Sequence, residues 1–210
     1  MTTVKRRIAC FCESTFEADV PEAADLGADA EVRAAILAGD FMSVTCPACG
    51  KVLTPEFPFR LGGVPVFGEL VLVPEADRGA LARGRLPALE TRGRVAVGFA
   101  ELAEKLLIAD AGLDDRVIEI MKHYLLTGSA SNAETGGQPD VSLLYKGREG
   151  EKHVFHIVGM REGEVGVARL GQQLYARIAK DLDARMAEEP FSEFCSPPWV
   201  SLKRVSGGLS

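Results

Sequence analysis

Four cysteines in two close pairs are the residues of this chain whose types and spacing could do chemistry. One pair lies in Cys10-Phe11-Cys12 and the other in Cys46-Pro47-Ala48-Cys49. Four thiolates are a donor set that tetrahedral zinc prefers over hard cations such as magnesium. The sequence therefore predicts one zinc site with four ligands, which are Cys10, Cys12, Cys46 and Cys49. A closed site of this kind is normally structural and not catalytic.

The two pairs, called here the first knuckle (residues 10–12) and the second knuckle (residues 46–49), differ in regularity. In the second knuckle Pro47 restricts the turn, and Gly50 permits a backbone geometry in which amide groups approach the cysteine sulfur. The first knuckle has one spacer residue fewer, and Glu13 stands where glycine is easiest to accommodate. We expect the first knuckle to be the less regular half of the site.

Two other chemistries use the same four side chains. A cysteine pair can exchange thiols with disulfides when one thiolate is activated, so a redox enzyme or sensor is an alternative. The βαβ pattern of thioredoxin-like proteins does not surround these pairs. An iron–sulfur cluster takes the same ligands, although the usual multi-cysteine runs are absent. The fifth cysteine, Cys195, lies far from the others and is expected to be a half-buried free thiol.

The charge of the chain argues against nucleic acid as a partner. The 210 residues carry a formal net charge of -6. Residues 1–75 hold six basic and eleven acidic side chains, so the part with the cysteines is itself acidic. A nucleic-acid-binding zinc ribbon that uses Lys5-Arg6-Arg7 is therefore the least favoured alternative.

Hydropathy predicts a cytoplasmic chain without a membrane partner. No run of about 18 apolar residues occurs, so a transmembrane helix is not expected. The first residues lack the apolar stretch of a signal peptide. In a reducing compartment, closely spaced cysteines are more often metal ligands or redox groups than structural disulfides.

The sequence contains no recognised catalytic motif, and we predict no catalytic residues and no cofactor other than the metal. A Ser-His-Asp signature, His-Glu-x-x-His and a phosphate-binding loop are all missing. His153 and His156 lie three apart in a predicted strand, so their side chains should point to opposite faces and not share a metal.

Acidic residues near the middle of the chain are interpreted as structural. Glu101 and Lys105 have the spacing of an ion pair on a solvated helix, and Asp114 is placed to cap the following helix. The neighbouring acids Glu104 and Asp115 are interpreted in the same way. A carboxylate metal site is the less favoured alternative.

Residue patterns predict an α+β fold. In residues 1–75, strands at 4–9 and 15–20 flank the first knuckle, a short helix that Asp29 can cap runs to Gly39, and a strong strand covers 64–73. These residues are predicted to form a zinc-ribbon-like β domain with an inserted short helix. Glycine, proline and arginine residues then predict a linker at 76–93.

Residues 94–210 are predicted to form an α+β C-terminal region. It begins with a helical segment over 99–126, which precedes a surface loop at 127–140. Three strands, at 141–145, 153–158 and 164–168, then form a small sheet, and a final helix is marked by apolar residues between 170 and 182.

Several stretches resemble the bacterial CpXC family. Residues 30–41 (AEVRAAILAGDF) before the second knuckle, and Glu56-Phe57-Pro58 after it, resemble the first part of that family. Residues 101–108 (ELAEKLLI) and 112–119 (GLDDRVIE) are similar to a second segment of its longer members. The resemblance implies a zinc-ribbon-like domain of unknown biochemical function.

These observations together predict a cytoplasmic, non-enzymatic protein that zinc holds together. A zinc ribbon without a basic surface or a catalytic motif is most economically an interaction or adaptor module. The expected partner is another protein or a second copy of this chain.

Overall fold

The structure is a computed structural model, and it describes residues 1–86, 89–130 and 141–206. The chain divides into two compact units, Met1–Leu106 and Leu107–Ser210. Both units combine helices with strands. The predicted α+β fold class is therefore confirmed.

The first unit is built on a five-stranded mixed sheet with the strand order β1-β2-β5-β6-β7. Pairs β1–β2 and β5–β6 are antiparallel, whereas β2–β5 and β6–β7 are parallel. A separate two-stranded hairpin consists of β3 and β4. In chain order the elements of this unit are β1 (Thr2–Ala9), β2 (Thr15–Asp25), α1 (Ala30–Ala38), β3 (Val44–Thr45), β4 (Val52–Leu53), β5 (Phe59–Val64), β6 (Gly68–Val73), a 3-10 helix (Glu75–Asp77), α2 (Arg78–Ala82), β7 (Arg94–Val97) and the start of α3 (Gly98–Asp110).

Two hairpins carry the knuckles at their tips. The first knuckle connects β1 to β2, in a register that sets Ile8 opposite Phe16 and Val4 opposite Val20. The second knuckle connects β3 to β4, and Val44 of β3 is paired with Leu53 of β4. Burial of Ile8 and Val20 against the core fixes the register of the first hairpin, because a slip by one residue would turn both side chains to solvent.

The short helix α1 forms where the sequence predicts it. Val32 and Ile36 face the core, and Gly39 ends the helix with a φ of 81°. Asp29 precedes the helix but makes no side-chain capping bond. Its carboxylate instead accepts hydrogen bonds from the Met1 amine at 2.8 Å and from the Asp25 N–H at 3.1 Å. The predicted capping role of Asp29 is therefore wrong.

The strand predicted at 64–73 is confirmed only for β6, because its first residues form the end of β5 and a tight turn. β5 ends at Val64 and β6 begins at Gly68. At the turn Phe67 donates its N–H to the Pro65 carbonyl at 2.6 Å, and Val66 has a φ of 64°. The apolar residues Val64, Val66 and Phe67 favour a continuous strand, and a valine with positive φ gives no turn signal.

The division of the chain also differs from the predicted one. β7 pairs with β6 in parallel, so the first sheet continues past residue 94, where the sequence places the C-terminal region. The boundary between the units falls inside α3, and the predicted linker at 76–93 lies within the first unit. Part of that segment forms a 3-10 helix and α2.

The second unit contains the predicted small sheet and helix. Its three strands are antiparallel, in the order β10-β9-β8. α4 continues over residues 127–130, where a loop is predicted, and the rest of that predicted loop, 131–140, lies outside the described residues. After the end of α3 its elements are α4 (Asp115–Ala130), β8 (Ser142–Glu149), β9 (Lys152–Val158), β10 (Val165–Gly171), α5 (Gln172–Lys180), α6 (Leu182–Met186), α7 (Phe191–Phe194) and α8 (Lys203–Ser206).

Aromatic side chains fill the core of the second unit. Tyr145 and Phe155 are fully buried on one face of the sheet, with ring centroids 5.7 Å apart. Phe191 and Phe194 of α7 pack edge to face at 5.8 Å. Within the described part of the chain, no helix has both the length and the apolar character needed to cross a membrane.

Candidate metal centre

The two hairpin tips bring all four predicted ligands together. The four sulfur atoms lie within 4.8 Å of one another. Cys10 Sγ is 3.6 Å from Cys49 Sγ, and Cys12 Sγ is 3.8 Å from Cys46 Sγ, so each close pair joins one knuckle to the other. All four are free thiols, since a disulfide bond would bring two sulfurs to about 2 Å.

These separations fit a tetrahedral metal ion. A zinc–sulfur bond of about 2.3 Å sets the edge of a regular tetrahedron at about 3.8 Å between sulfurs. The two measured cross-knuckle separations lie at or just below this value. The other separations reach at most 4.8 Å, so a bound ion would draw those sulfurs closer together. Among the described residues, this is the group of histidine, cysteine and acidic side chains that could hold a metal ion.

Backbone hydrogen bonds shape the first knuckle. The N–H of Glu13 donates to the Cys10 carbonyl at 2.9 Å, and the Cys10 N–H donates to the Ser14 carbonyl at 2.9 Å. This closed turn requires a left-handed residue, and Glu13 has a φ of 65°. Glutamate thus occupies a position that glycine would adopt without a steric cost, as the sequence indicates.

The second knuckle is built in a similar way. The Cys46 N–H donates to the Lys51 carbonyl at 2.9 Å, and the Gly50 N–H donates to the Cys46 carbonyl at 2.9 Å. Here the left-handed position, with a φ of 72°, is a glycine. The two knuckles therefore differ in the residue that supplies the positive φ, and the first bears the backbone strain.

The site is half-buried. Cys10 and Cys46 are buried, whereas Cys12 and Cys49 face solvent. The neighbouring Phe11 is 84% exposed. Lys51 places its ammonium 4.6 Å from the centre of the Phe11 ring, in a cation–π contact from one knuckle to the other.

A serine that the sequence analysis overlooked contacts two of the sulfurs. Ser14 Oγ lies 3.1 Å from Cys12 Sγ and 3.2 Å from Cys46 Sγ. This hydroxyl is the main cause that lowers the pKa of Cys46 to about 6, and it also lowers the pKa of Cys12. Its contact with Cys46 depends on how the two hairpins meet, so no local sequence pattern identifies this serine.

The pKa of Cys10 is shifted in the opposite direction to that of Cys46. The backbone N–H of Cys12 acts to lower its pKa, but burial and the neighbouring thiols together raise the pKa of Cys10 to about 12. A metal-free site at neutral pH thus contains both thiolate and thiol. Metal binding would displace the remaining protons, so acid should oppose it.

The acidic residues near the middle of the chain are less exposed than predicted. Glu101, Glu104 and Asp115 are buried, and so is Lys105, so the interpretation of Glu101 and Lys105 as a pair on a solvated helix is wrong. The predicted cap is confirmed, because Asp114 accepts the Arg116 N–H at the start of α4 at 2.9 Å. The apolar periodicity of these segments predicted the helices but not how deeply their acidic side chains are buried.

Glu56, one of the residues that carry the family resemblance, binds two backbone segments of the first unit. Its carboxylate accepts the Phe99 N–H at 3.0 Å and the Glu75 N–H at 2.5 Å. Nearby, Arg78 donates to Glu75 and, at 2.8 Å, to Glu101. Burial acts to lower the pKa of Arg78, but the two glutamates raise it. This network fixes the N-terminus of α3 beside the sheet.

The histidines of β9 lie on opposite faces, as predicted. His153 is fully buried, and its Nε2 lies 2.7 Å from Gln172 Oε1. His156 is opposite Val167 on the other face of the sheet. A shared metal would require both rings on one side.

Comparison with known proteins agrees with this site. The family model described as CpXC protein matches residues 8–122, which is more than half of the chain and includes both knuckles. The chain belongs to the CpXC protein family.

This CpXC protein also has a similar chain in Treponema pallidum (strain Nichols), named an uncharacterized protein. The two are 26% identical over 194 residues, which cover 83% of this chain and 87% of the relative. No solved structure matches the chain significantly. The family match confirms the predicted resemblance, and it supports a four-cysteine site that could hold a metal ion.

Proposed function

We propose that the four cysteines hold one zinc ion as a structural staple between the β1–β2 and β3–β4 hairpins. The observation that carries this proposal is the pair of cross-knuckle sulfur separations, 3.6 and 3.8 Å, close to a tetrahedral edge. An all-sulfur donor set favours zinc over magnesium or calcium. When bound, the ion would join the tips of the two hairpins.

We propose further that the protein is a non-enzymatic interaction module. Four protein thiolates complete a tetrahedral site and leave no coordination position for a substrate. The acidic charge of the chain disfavours nucleic acid, which leaves protein surfaces as the favoured partner. The family match assigns no reaction.

The zinc proposal is tested with the variant Cys46→Ser. Metal analysis of the purified wild type should find one zinc per chain, with thiols that react slowly until a chelator is added. Cys46→Ser should lose the zinc and unfold the first unit, because binding energy in small metal sites is folding energy. Circular dichroism and thermal melting measure this loss. A native spectrum and an unchanged melting curve for Cys46→Ser would contradict the staple.

Cys195→Ala provides the matched control. Cys195 forms no disulfide bond and lies in the second unit, apart in sequence from the knuckles, and it is fully buried rather than half-buried as expected. This variant should keep one zinc per chain. Metal-free wild type with a reversible disulfide would instead support the thiol-redox alternative, and bound iron with labile sulfide would support a cluster.

A further inference from the structure

The outer face of the C-terminal sheet carries a concentration of exposed apolar side chains. Of the eight large apolar side chains that are exposed among the described residues, four lie between residues 158 and 167. They are Val158, Met160, Val165 and Val167, with exposures of 40%, 55%, 53% and 47%. Single exposed apolar residues are ordinary, but a cluster of this kind marks an interaction site.

Three of the four share one face of the sheet. Val165 stands directly opposite Val158, and Val167 stands opposite His156 in the antiparallel register of β9 and β10. Directly opposed residues project to the same side. The aromatic core, which includes Phe155, occupies the other face. The exposed valines therefore do not belong to the hydrophobic core of the second unit.

β10 is also an open edge. The three-stranded sheet ends at β10, and among the described residues no other strand pairs with it. Its pairing with β9 runs from Val165 to Gly171 without a bulge. Natural edge strands are usually protected by lysine, proline or a bulge, and β10 has none of these. The backbone N–H and C=O groups along this edge have the spacing to form hydrogen bonds with another extended strand.

The composition of β10 suits pairing with itself. Arg169 is the one charged residue of the strand, and it already forms an ion pair with Glu149 at 2.7 Å. Only an antiparallel register centred on Arg169 would set like charges opposite each other. A register centred near Val167 instead sets valines of the two copies side by side, which is a favourable cross-strand pair.

From these observations we infer that β10 pairs with β10 of a second copy in an antiparallel, two-fold arrangement, which joins two three-stranded sheets into one of six strands. The inference deepens the proposed function, because it names the partner of the interaction module, and it rests on the second unit alone. One strand edge and a few side chains per copy bury on the order of 1,000 Å² in total, which is small for a specific interface. The dimer should therefore be weak and concentration-dependent.

Sedimentation of the full, zinc-loaded chain over a concentration series tests the inference. The wild type should pass from monomer to dimer. Val167→Lys should raise the dissociation constant by about tenfold or more, since an exposed lysine on an edge strand opposes pairing without disturbing the core. Val66→Lys is the matched control, because Val66 is 64% exposed in the first unit, and it should dimerise like the wild type.

Hydrogen exchange provides an independent measurement. Backbone amides of β10 should exchange more slowly in the wild type at high concentration than at low concentration, and Val167→Lys should abolish this difference. A chain that stays monomeric throughout, or a dimer weakened equally by both lysine variants, would overturn the inference. A dimer that Val167→Lys leaves intact, including one formed with the first unit, would also overturn it.

Zinc content separates the two proposals. A zinc-loaded chain that remains monomeric would contradict pairing through β10 and leave the staple standing. A metal-free chain that dimerises through β10 would contradict the staple and leave the pairing. Val167→Lys should itself retain one zinc per chain.

Discussion

At the scale of single residues, the two side chains after Cys12 have contrasting effects on the metal centre. Ser14 contacts two sulfurs and lowers the pKa of Cys46, which favours the thiolate that a metal needs. Glu13 supplies a left-handed backbone conformation that a side chain opposes. In this one turn, Glu13 therefore bears backbone strain, and the adjacent Ser14 favours the thiolate form of a metal ligand.

Replacing Glu13 by glycine should stabilise the zinc-loaded protein. Glycine adopts a positive φ without the steric cost that glutamate bears, so the gain in unfolding free energy should be about 1 kcal/mol. Urea unfolding of the first unit measures it. The control Glu17→Gly, at an exposed position of β2 with ordinary strand geometry, should instead destabilise by about 1 kcal/mol. Equal losses for both variants would show that the turn is unstrained.

The cysteines and their turns could be predicted from sequence, because spacing, proline and glycine act locally. The left-handed position after the first knuckle could be recognised from its alignment with Gly50. Ser14 could not, because its contact with Cys46 joins residues 32 apart and depends on how the two hairpins meet. Local sequence patterns predicted the four metal ligands, whereas the residues that contact those ligands could be identified only from the tertiary structure.

At the scale of secondary-structure elements, charged side chains hold the start of α3. Glu101 lies one turn into the helix and accepts the Val97 N–H at 3.0 Å, while Arg78 reaches it from α2. Glu101 is 3% exposed, so its carboxylate is paired within the protein and little hydrated.

Arg78→Met should destabilise the first unit by about 3 kcal/mol, because it removes a partner of a buried carboxylate while keeping most of the apolar stem. Chemical denaturation monitored by circular dichroism measures the change. Arg60→Met removes a more exposed ion pair with Glu69, also at the first sheet, and should cost about 1 kcal/mol or less. Similar costs for the two variants would contradict a special role for Arg78.

Strands and helices of the second unit could be predicted because their apolar periodicity is regular. The hairpin at Val66 was missed, since the apolar residues of its turn, Val66 and Phe67, continue the apolar pattern of β6. The burial of Glu101 was missed for a related reason. A glutamate four residues before a lysine favours an exposed helix, and only the packing of α2 reveals that Arg78 is its partner.

At the scale of the whole molecule, the candidate metal centre and the single tryptophan lie in different compact units. All four cysteines of the site fall within Met1–Leu106, whereas Trp199 is buried in Leu107–Ser210. Each unit has a hydrophobic core of its own. Tryptophan fluorescence therefore reports on the unit that lacks the metal.

Removing the metal with a chelator should unfold the first unit and leave the second folded. Circular dichroism should lose β signal, whereas the emission maximum of Trp199 should stay where it is in the loaded protein. Urea, which unfolds both units, should shift that emission to longer wavelength and serves as the control. A shift of Trp199 emission on chelation alone would show that the second unit depends on the metal.

A metal ion bound by the four cysteines would also close a ring in the chain. Cys12 and Cys46 are 34 residues apart, and the ring that an ion would close there contains α1. Closing a ring of this size lowers the conformational entropy of the unfolded chain, which stabilises the folded protein by about 4 kcal/mol. Doubling the length of the ring would change this by only about 0.6 kcal/mol. The segment between the knuckles can therefore lengthen or shorten in other members of the family with little effect on the site.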